Sequence, residues 1–237
     1  MLSVHEFSEN AVLFIEKYRT KHDDSLLPIV DEIWNTAQSK NSFLFDGSIL
    51  SCISDSSNKI TSVIDNYRFF FSKRIQPGLL EKIQIMPIAV SGIMECRDGF
   101  VFGMRAKFTT QDAGLLELVP SGGLDASTIK SNDRFDFKQQ LLTELYEEIG
   151  VNQNMVSTIT PFCYVIDNDA LVLDIGIYMY SDVSQEVILD CFTKAHSFEY
   201  ESIIFIPRNK ILNFITIERK KISSISVAIM EFFLKKS

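Results

Sequence analysis

Nowhere does the sequence offer an apolar run long enough to cross a bilayer. Stretches such as residues 170–173 and 203–207 fall far short of the roughly 20 residues that a spanning helix needs. Residues 1–10 hold His5, Glu6 and Glu9 where a secretory signal needs a basic and then an apolar stretch, so a cytoplasmic location is expected. Basic excess is missing too. The 23 lysines and arginines face 31 aspartates and glutamates, a formal charge of −8, which argues against an extended nucleic-acid groove. Three histidines, His5, His22 and His196, show no zinc-ligand spacing, and the four cysteines, Cys52, Cys96, Cys163 and Cys191, form no CxxC pair. A chain of this length has core enough to do without disulfides, so buried thiols are expected. Repeats and low-complexity tracts are lacking as well.

What is present suits a globular protein with a real core: 46% of the residues are hydrophobic and 23% charged. The 237 residues fit one large domain, or a core domain with a substantial extension. Apolar spacing predicts helices from residue 12 to 18 and again around Leu27, Val30, Ile33 and Trp34. Residues 43–45 and 49–53 flank Asp46-Gly47, a hairpin turn signal, and residues 61–75 read as an aromatic-rich helix. From Met86 the texture changes. Strands are expected at 88–95, 100–107, 115–119, 156–166, 171–180 and 202–206, with helices at 136–149, 185–193 and 222–234. Gly150 stands where a glycine closes the helix 136–149. Strands and helices mix without a regular βαβ alternation, so the expected class is α+β with a mixed sheet. The expected division is a helical N-terminal extension with a β-hairpin over 1–85 and a core domain over 86–237.

The most informative segment runs Glu144-Leu145-Tyr146-Glu147-Glu148-Ile149-Gly150-Val151. On a helix Glu144 and Glu148 are i,i+4 neighbours and Glu147 is i+3 from Glu144, so three carboxylates share one face. Like charges so placed destabilise a helix, and a divalent cation reverses that sign. Mg²⁺ takes oxygen ligands, typically one or two carboxylates with waters and substrate phosphates. Leu141, Leu145 and Ile149 form an apolar stripe that anchors the helix on a core. An acidic protein that binds a phosphorylated ligand must supply local cations or a metal, and this helix offers a platform for one.

These residues resemble the second half of the Nudix box, Gly-x5-Glu-x7-Arg-Glu-U-x-Glu-Glu-x-Gly-U with U aliphatic. Upstream, Glu117-Leu118-Val119-Pro120-Ser121-Gly122-Gly123 resembles the strand and glycine turn that open the box, and residues 91–105 resemble the hairpin before it. The resemblance implies an α/β/α sandwich and a Mg²⁺- or Mn²⁺-dependent hydrolase that cleaves a diphosphate by water attack. It implies Glu144 and Glu148 as metal ligands, Glu147 as a ligand or water-mediated partner, and the carbonyl of Gly122 as a further ligand. A glutamate beyond the box often serves as base in this family, and Glu199 is preferred over Glu201 here. Arg105, with Glu117, is expected at the substrate phosphates. The family also leaves room for a homodimer.

The box is altered in its first half. Gly122 and Thr143, which takes the place of the box arginine, lie 21 positions apart against 14 in the family pattern. The first glutamate of the pattern falls on Phe135. Leu44-Phe45-Asp46-Gly47, then Tyr67-Arg68-Phe69, resembles the layout of the nucleoside-diphosphate-sugar branch, the UDP-glucose pyrophosphatases in particular. The expected ligand is therefore a nucleoside diphosphate linked to a sugar or similar group. ADP-ribose is the alternative, a non-catalytic domain binding a nucleotide or protein partner is another, and isopentenyl-diphosphate isomerase, which would need a cysteine such as Cys163, ranks low. Trp34, Tyr67 and Phe70 could stack a base, yet their helical spacing favours the core.

Overall fold

The computed structural model describes residues 1–19, 22–42, 44–78, 81–109, 111–126, 129 and 133–236. In chain order the strands and helices are β1 (Leu2–Glu6), β2 (Val12–Arg19), α1 (Leu27–Lys40), β3 (Ser48–Asp55), β4 (Lys59–Asn66), α2 (Tyr67–Ile75), β5 (Ile88–Cys96), β6 (Gly99–Arg105), β7 (Leu116–Leu118), β8 (Ser121–Gly123), β9 (Arg134–Phe135), α3 (Phe137–Ile149), β10 (Thr158–Asp167), β11 (Val172–Tyr180), α4 (Gln185–Ala195), β12 (Tyr200–Ile206), α5 (Ile211–Ile217) and α6 (Ser224–Lys236). The expected α+β class with a mixed sheet is what the chain forms.

The main sheet runs β1-β10-β11-β5-β6-β12, with β11 and β5 parallel and the other pairs antiparallel. Side chains alternate across it as strand geometry requires. On one face Val90, Met94, Ile175 and Ile177 pack with Leu141, Leu145 and Ile149 of α3 and Ile188 of α4. On the other, Ile93, Phe100, Phe102, Cys163 and Val165 pack with Ile211 and Ile215 of α5 and Val227, Ile229 and Met230 of α6. Helices on both faces make the sandwich.

One irregularity positions the site. β5 and β6 pair only at the hairpin, Glu95 with Phe100 and Cys96 with Gly99, and then part company. The single segment β7–β8 fills the gap: Glu117 lies opposite Gly103 on β6, while Gly122 lies opposite Val90 on β5. The sheet is split, and the split opens beside the N-terminal half of β5. Onto β8 packs α3. Its start is fixed by Asp136, whose side chain accepts from Gln139 N–H at 3.0 Å, and its end by Gly150 at φ 72°. A Cβ on Gly150 would stand 2.5 Å from the Cys191 carbonyl oxygen, so glycine is required there by conformation and by space.

The segment before residue 86 differs from the helical expectation. Residues 12–18 are strand, not helix: β2 lies between β4 and β9 in a second sheet ordered β3-β4-β2-β9. The apolar run Val12–Ile15 satisfies either period, and Leu13 and Ile15 enter the core beside α3. The expected hairpin also moves. Leu44 and Phe45 are outside any strand, Phe43 lies outside the described residues, and β3 pairs instead with β4. Asp46-Gly47 caps α2: Asp46 Oδ1 accepts from Arg68 N–H at 2.9 Å and the Gly47 carbonyl from Tyr67 N–H at 3.0 Å. The expected helix 61–75 is strand up to Asn66 and helix only beyond it. Elements not anticipated include α5, β1 and the short strands β8 and β9, and β1 is the edge strand of the main sheet beside β10. Trp34 and Phe70 are core residues, and Phe70 and Tyr67 both border a cavity. Among the described residues no helix is long and apolar enough to cross a membrane.

The α3 stripe holds this arrangement together, so Leu145→Ala should cost about 2–5 kcal/mol of stability, a cavity penalty that chemical denaturation measures directly. A loss under about 1 kcal/mol would show that α3 is not anchored as described.

Candidate metal and phosphate site

Five elements bring the site residues together. α3 supplies the carboxylates, β8 the glycine turn, β6 and β7 the Arg105–Glu117 pair, and the entry to β12 supplies Glu199. Glu144 lies directly on Gly122, where a Cβ would meet its Cδ at 2.5 Å. Only glycine lets the helix approach the strand this closely. Glu148, one turn on, is buried and accepts from Ser121 N–H, 3.1 Å from Oε2. The first acidic residue thus sits on the glycine turn and the second is held by it.

The carboxylates are poor in cationic partners. Burial pushes Glu144 up to about 7, with the charges of Glu147, Glu199 and Asp125 adding to it and a hydrogen bond from Gln140 opposing. Glu148 is raised well above the ordinary range, by burial first and then by Glu199, Glu117 and Glu144. Glu147 is exposed on α3 and reaches the site through its charge on Glu144. Glu199 is exposed too, and its charge acts on both Glu144 and Glu148. Glu201 is exposed on β12.

Across the split, Arg105 is already engaged. Its Nη1 lies 2.5 Å from Glu117 Oε1 and 3.8 Å from Glu199 Oε2, and its Nε donates to the Gln111 carbonyl at 3.0 Å. Tyr200 donates to the same Glu117 oxygen at 2.6 Å. Glu117 therefore orients the guanidinium and is itself nearly enclosed. The sequence reading missed Tyr200, although it stands between Glu199 and Glu201, the two carboxylates singled out there.

The altered half of the box has a physical reading. Phe135, at the place of the first glutamate, is buried in β9 and pairs with Leu13 of β2, so this stretch of the loop serves the second sheet. Thr143 turns back on its own helix, donating to the Gln139 carbonyl at 3.1 Å. Glu144 is instead held by Gln140, one turn before it, whose Nε2 donates to Glu144 Oε1 at 2.7 Å. The i,i+4 spacing of Gln140 and Glu144 was the available signal.

Hard oxygen donors fit a hard divalent ion. Among the described residues no three His, Cys, Asp or Glu side chains are gathered closely enough to form a ready-made cage. Mg²⁺ does not require one, because it keeps several waters and takes one or two carboxylates with substrate phosphates. Glu144, Glu148 and the Gly122 carbonyl meet that demand in kind, and the Gly122 cradle is an observation that favours it.

Two cavities meet at this point. One, about 630 Å³, is bordered by Glu144, Gly122, Arg105 and the start of α6. The other, about 1190 Å³, is bordered by Arg105, Gly123, Glu199, Tyr67 and the segment around Phe45. Phe45, Phe108 and Phe198 stand at its wall 79%, 72% and 81% exposed, from three separate loops. Such exposure of large rings around one hollow is unusual for a surface facing only water. All four cysteines are free thiols. Cys163 is buried against α6 with its thiol pushed up by burial, and it borders neither cavity.

The sign of the pH effect follows. Glu144 binds a proton more tightly folded than unfolded, so its contribution to stability is full below the ordinary value of 4.5 and is lost as pH rises through about 7. Without metal, raising pH from 5 to 8 should lower the melting temperature more in the wild type than in Glu144→Gln, and Mg²⁺ should return the difference. Parallel curves with and without Mg²⁺ would contradict the assignment.

No family model matches the chain, and no curated protein matches its sequence. Solved structures similar to it include the MutT protein of Methanosarcina mazei Go1, at 16% identity over 64% of this chain and 94% of that one, with a TM-score of 0.40. The NUDIX domain of Shewanella oneidensis NrtR, complexed with ADP ribose, is 14% identical over 56% of this chain and 80% of that one, with a TM-score of 0.41. A bifunctional NMN adenylyltransferase/ADP ribose pyrophosphatase of Francisella tularensis is 11% identical over 71% of this chain and 46% of that one, with a TM-score of 0.48.

Proposed function

We propose that this chain is a divalent-cation-dependent hydrolase of the Nudix type, acting on a nucleoside diphosphate linked through its second phosphate to another group, with an NDP-sugar such as UDP-glucose favoured. The observation that carries the reading is the pair Glu144, half-buried on the Gly122 turn, and Glu148, buried beneath it, both short of cationic partners, with Arg105 held across the split by Glu117.

Glu144, Glu148 and the Gly122 carbonyl would hold Mg²⁺ or Mn²⁺, with Glu147 through water. An ion so held neutralises phosphate oxygens and makes bound water more acidic. The protein's own groups do the rest. Arg105, fixed by Glu117 and Tyr200, faces the phosphates, and Gln140 keeps Glu144 in place. Glu199, at the solvent edge, is the proposed base. It takes a proton from water as the water oxygen bonds to one phosphorus. The bridging P–O bond breaks, and a nucleoside monophosphate and a phosphorylated second group leave. The flat base suits the hollow ringed by Phe45, Phe108 and Phe198, since exposed aromatic faces gain by stacking. A ligand spanning both cavities fits a diphosphate substituted at each end, the form shared by NDP-sugars and ADP-ribose.

A second reading, a domain that binds such a ligand without cleaving it, draws on Phe135 and Thr143, which leave the box without two of its usual polar groups. Turnover decides between them. With Mg²⁺ and a panel of NDP-sugars, ADP-ribose, dinucleoside polyphosphates and NTPs, the wild type should cleave the substituted diphosphates in preference to NTPs. Glu148→Gln should lower kcat on the order of 10²-fold or more. Binding without turnover across the panel would establish the second reading.

Gln140 gives a finer test. Gln140→Ala should reduce kcat roughly tenfold by freeing Glu144, and Thr143→Arg should not exceed the wild-type rate because the brace is already present. An unaltered Gln140→Ala enzyme, or a faster Thr143→Arg one, would show the brace to lie elsewhere.

A further inference from the structure

Asp174 takes no part in the chemistry above. It lies in β11, 4% exposed, and only half of it is satisfied. Ser91 Oγ donates to its Oδ2 at 3.0 Å, and Oδ1 has no hydrogen-bond partner. A buried acceptor left unpaired is costly, and proteins retain few of them without a use. Asp174 is not sealed in apolar core: it borders the 630 Å³ cavity together with Glu144, Gly122 and Arg105. The sequence held a signal here, a lone acid in the apolar run Val172-Leu173-Asp174-Ile175.

The facing wall of the cavity is the start of α6, Ser223 to Ser226. Ser223 Oγ donates to Ser226 Oγ and accepts from Ser226 N–H, and Val227 N–H bonds the Ser223 carbonyl. The N–H groups of Ser224 and Ile225 belong to the first turn, which has no acceptor within the helix. One wall thus offers an acceptor and the other offers donors. A hydroxyl both donates and accepts, and adjacent hydroxyls on a ring match this lining better than an apolar or purely anionic group does.

Building on the diphosphate reading above, we propose that Asp174 and the first turn of α6 form a hydroxyl-recognition subsite for the sugar on the far phosphate, opposite the phenylalanine-walled hollow that takes the base. Asp174 Oδ1 accepts from a sugar hydroxyl. Specificity for a hydroxylated second arm comes from this side chain, because a ligand without that hydroxyl leaves the acceptor buried and unpaired.

A competing role must be separated. Ser91 Oγ lies 3.1 Å from Ser121 Oγ, and Ser121 N–H donates to Glu148, so Asp174 is linked through two serines to the turn beside the carboxylates. If Asp174 merely positions that turn, its loss affects every ligand alike.

The test measures binding by calorimetry in Mg²⁺ with α,β-methylene analogues that cannot be cleaved: those of UDP-glucose and ADP-ribose, against sugar-free α,β-methylene UDP and ADP. The wild type should bind at least one sugar-bearing analogue more tightly than its sugar-free counterpart. Asp174→Asn keeps an acceptor for Ser91 and places a donor where Oδ1 stood. It should weaken the sugar-bearing analogue about 10- to 100-fold and leave the sugar-free one unchanged. Ser91→Ala, which cuts the link to the turn, should preserve the discrimination. If Asp174→Asn does not fold, judged by its melting curve, Asp174→Ser makes the same comparison. An equal loss for both ligand types, no loss for either, or no sugar preference in the wild type would overturn the proposal. Turnover of natural UDP-glucose and ADP-ribose by the wild type is read separately, so failure of the hydrolase reading is distinguishable from failure of this one.

Discussion

One buried and one half-buried glutamate, packed against a glycine turn, set the terms for the rest of the structure. Carboxylates out of water need cations or strong donors, and Glu144 and Glu148 have an amide from Gln140 and a backbone N–H from Ser121. That imbalance is stable only because other features hold it. The apolar stripe of α3 fixes the helix on the sheet, Gly122 yields the space that Glu144 fills, and the parting of β5 and β6 lets β8 sit beneath the helix. A metal ion bound there would relieve the same imbalance that the fold creates, so the local cost and the proposed function would share one origin.

The opposite side of the split is balanced differently. Arg105 is compensated by Glu117, which in turn takes a hydrogen bond from Tyr200, and Glu199 stands outside this enclosed trio near enough to sense both sides. Carboxyl groups that lack a counter-ion, and are raised by burial, face a guanidinium that is held still. This asymmetry suits the proposed anionic ligand bridged by a cation in a chain whose overall charge is −8.

The core of the site was legible because it is local. Glu144, Glu147 and Glu148 lie within five residues, and helical spacing alone puts them together with Leu141 and Leu145 on the adjoining stripe. The strands from 88 onward were legible for the same reason, by alternation and turn residues. The failures were tertiary. Val12–Ile15 fits helix and strand equally, and only pairing with β4 and β9 decides for strand. Asp46-Gly47 has the chemistry of a hairpin turn, yet its acceptors cap α2. Phe135, which breaks the motif, is a core residue of another sheet, and the side-chain hydrogen bond to Glu144 comes from Gln140 and not from position 143. Asp174 and the exposed phenylalanines become meaningful only once the cavities they border are known.

The central claim is that the Gly122 turn and the α3 carboxylates form one divalent-cation site. Crystals grown with Mn²⁺ and measured at the manganese absorption edge test it most directly. The account predicts an anomalous peak within ligand distance of Glu144, Glu148 and the Gly122 carbonyl, abolished in crystals of Glu144→Gln/Glu148→Gln. A peak elsewhere, or none here at millimolar Mn²⁺ with a diphosphate ligand present, would contradict it.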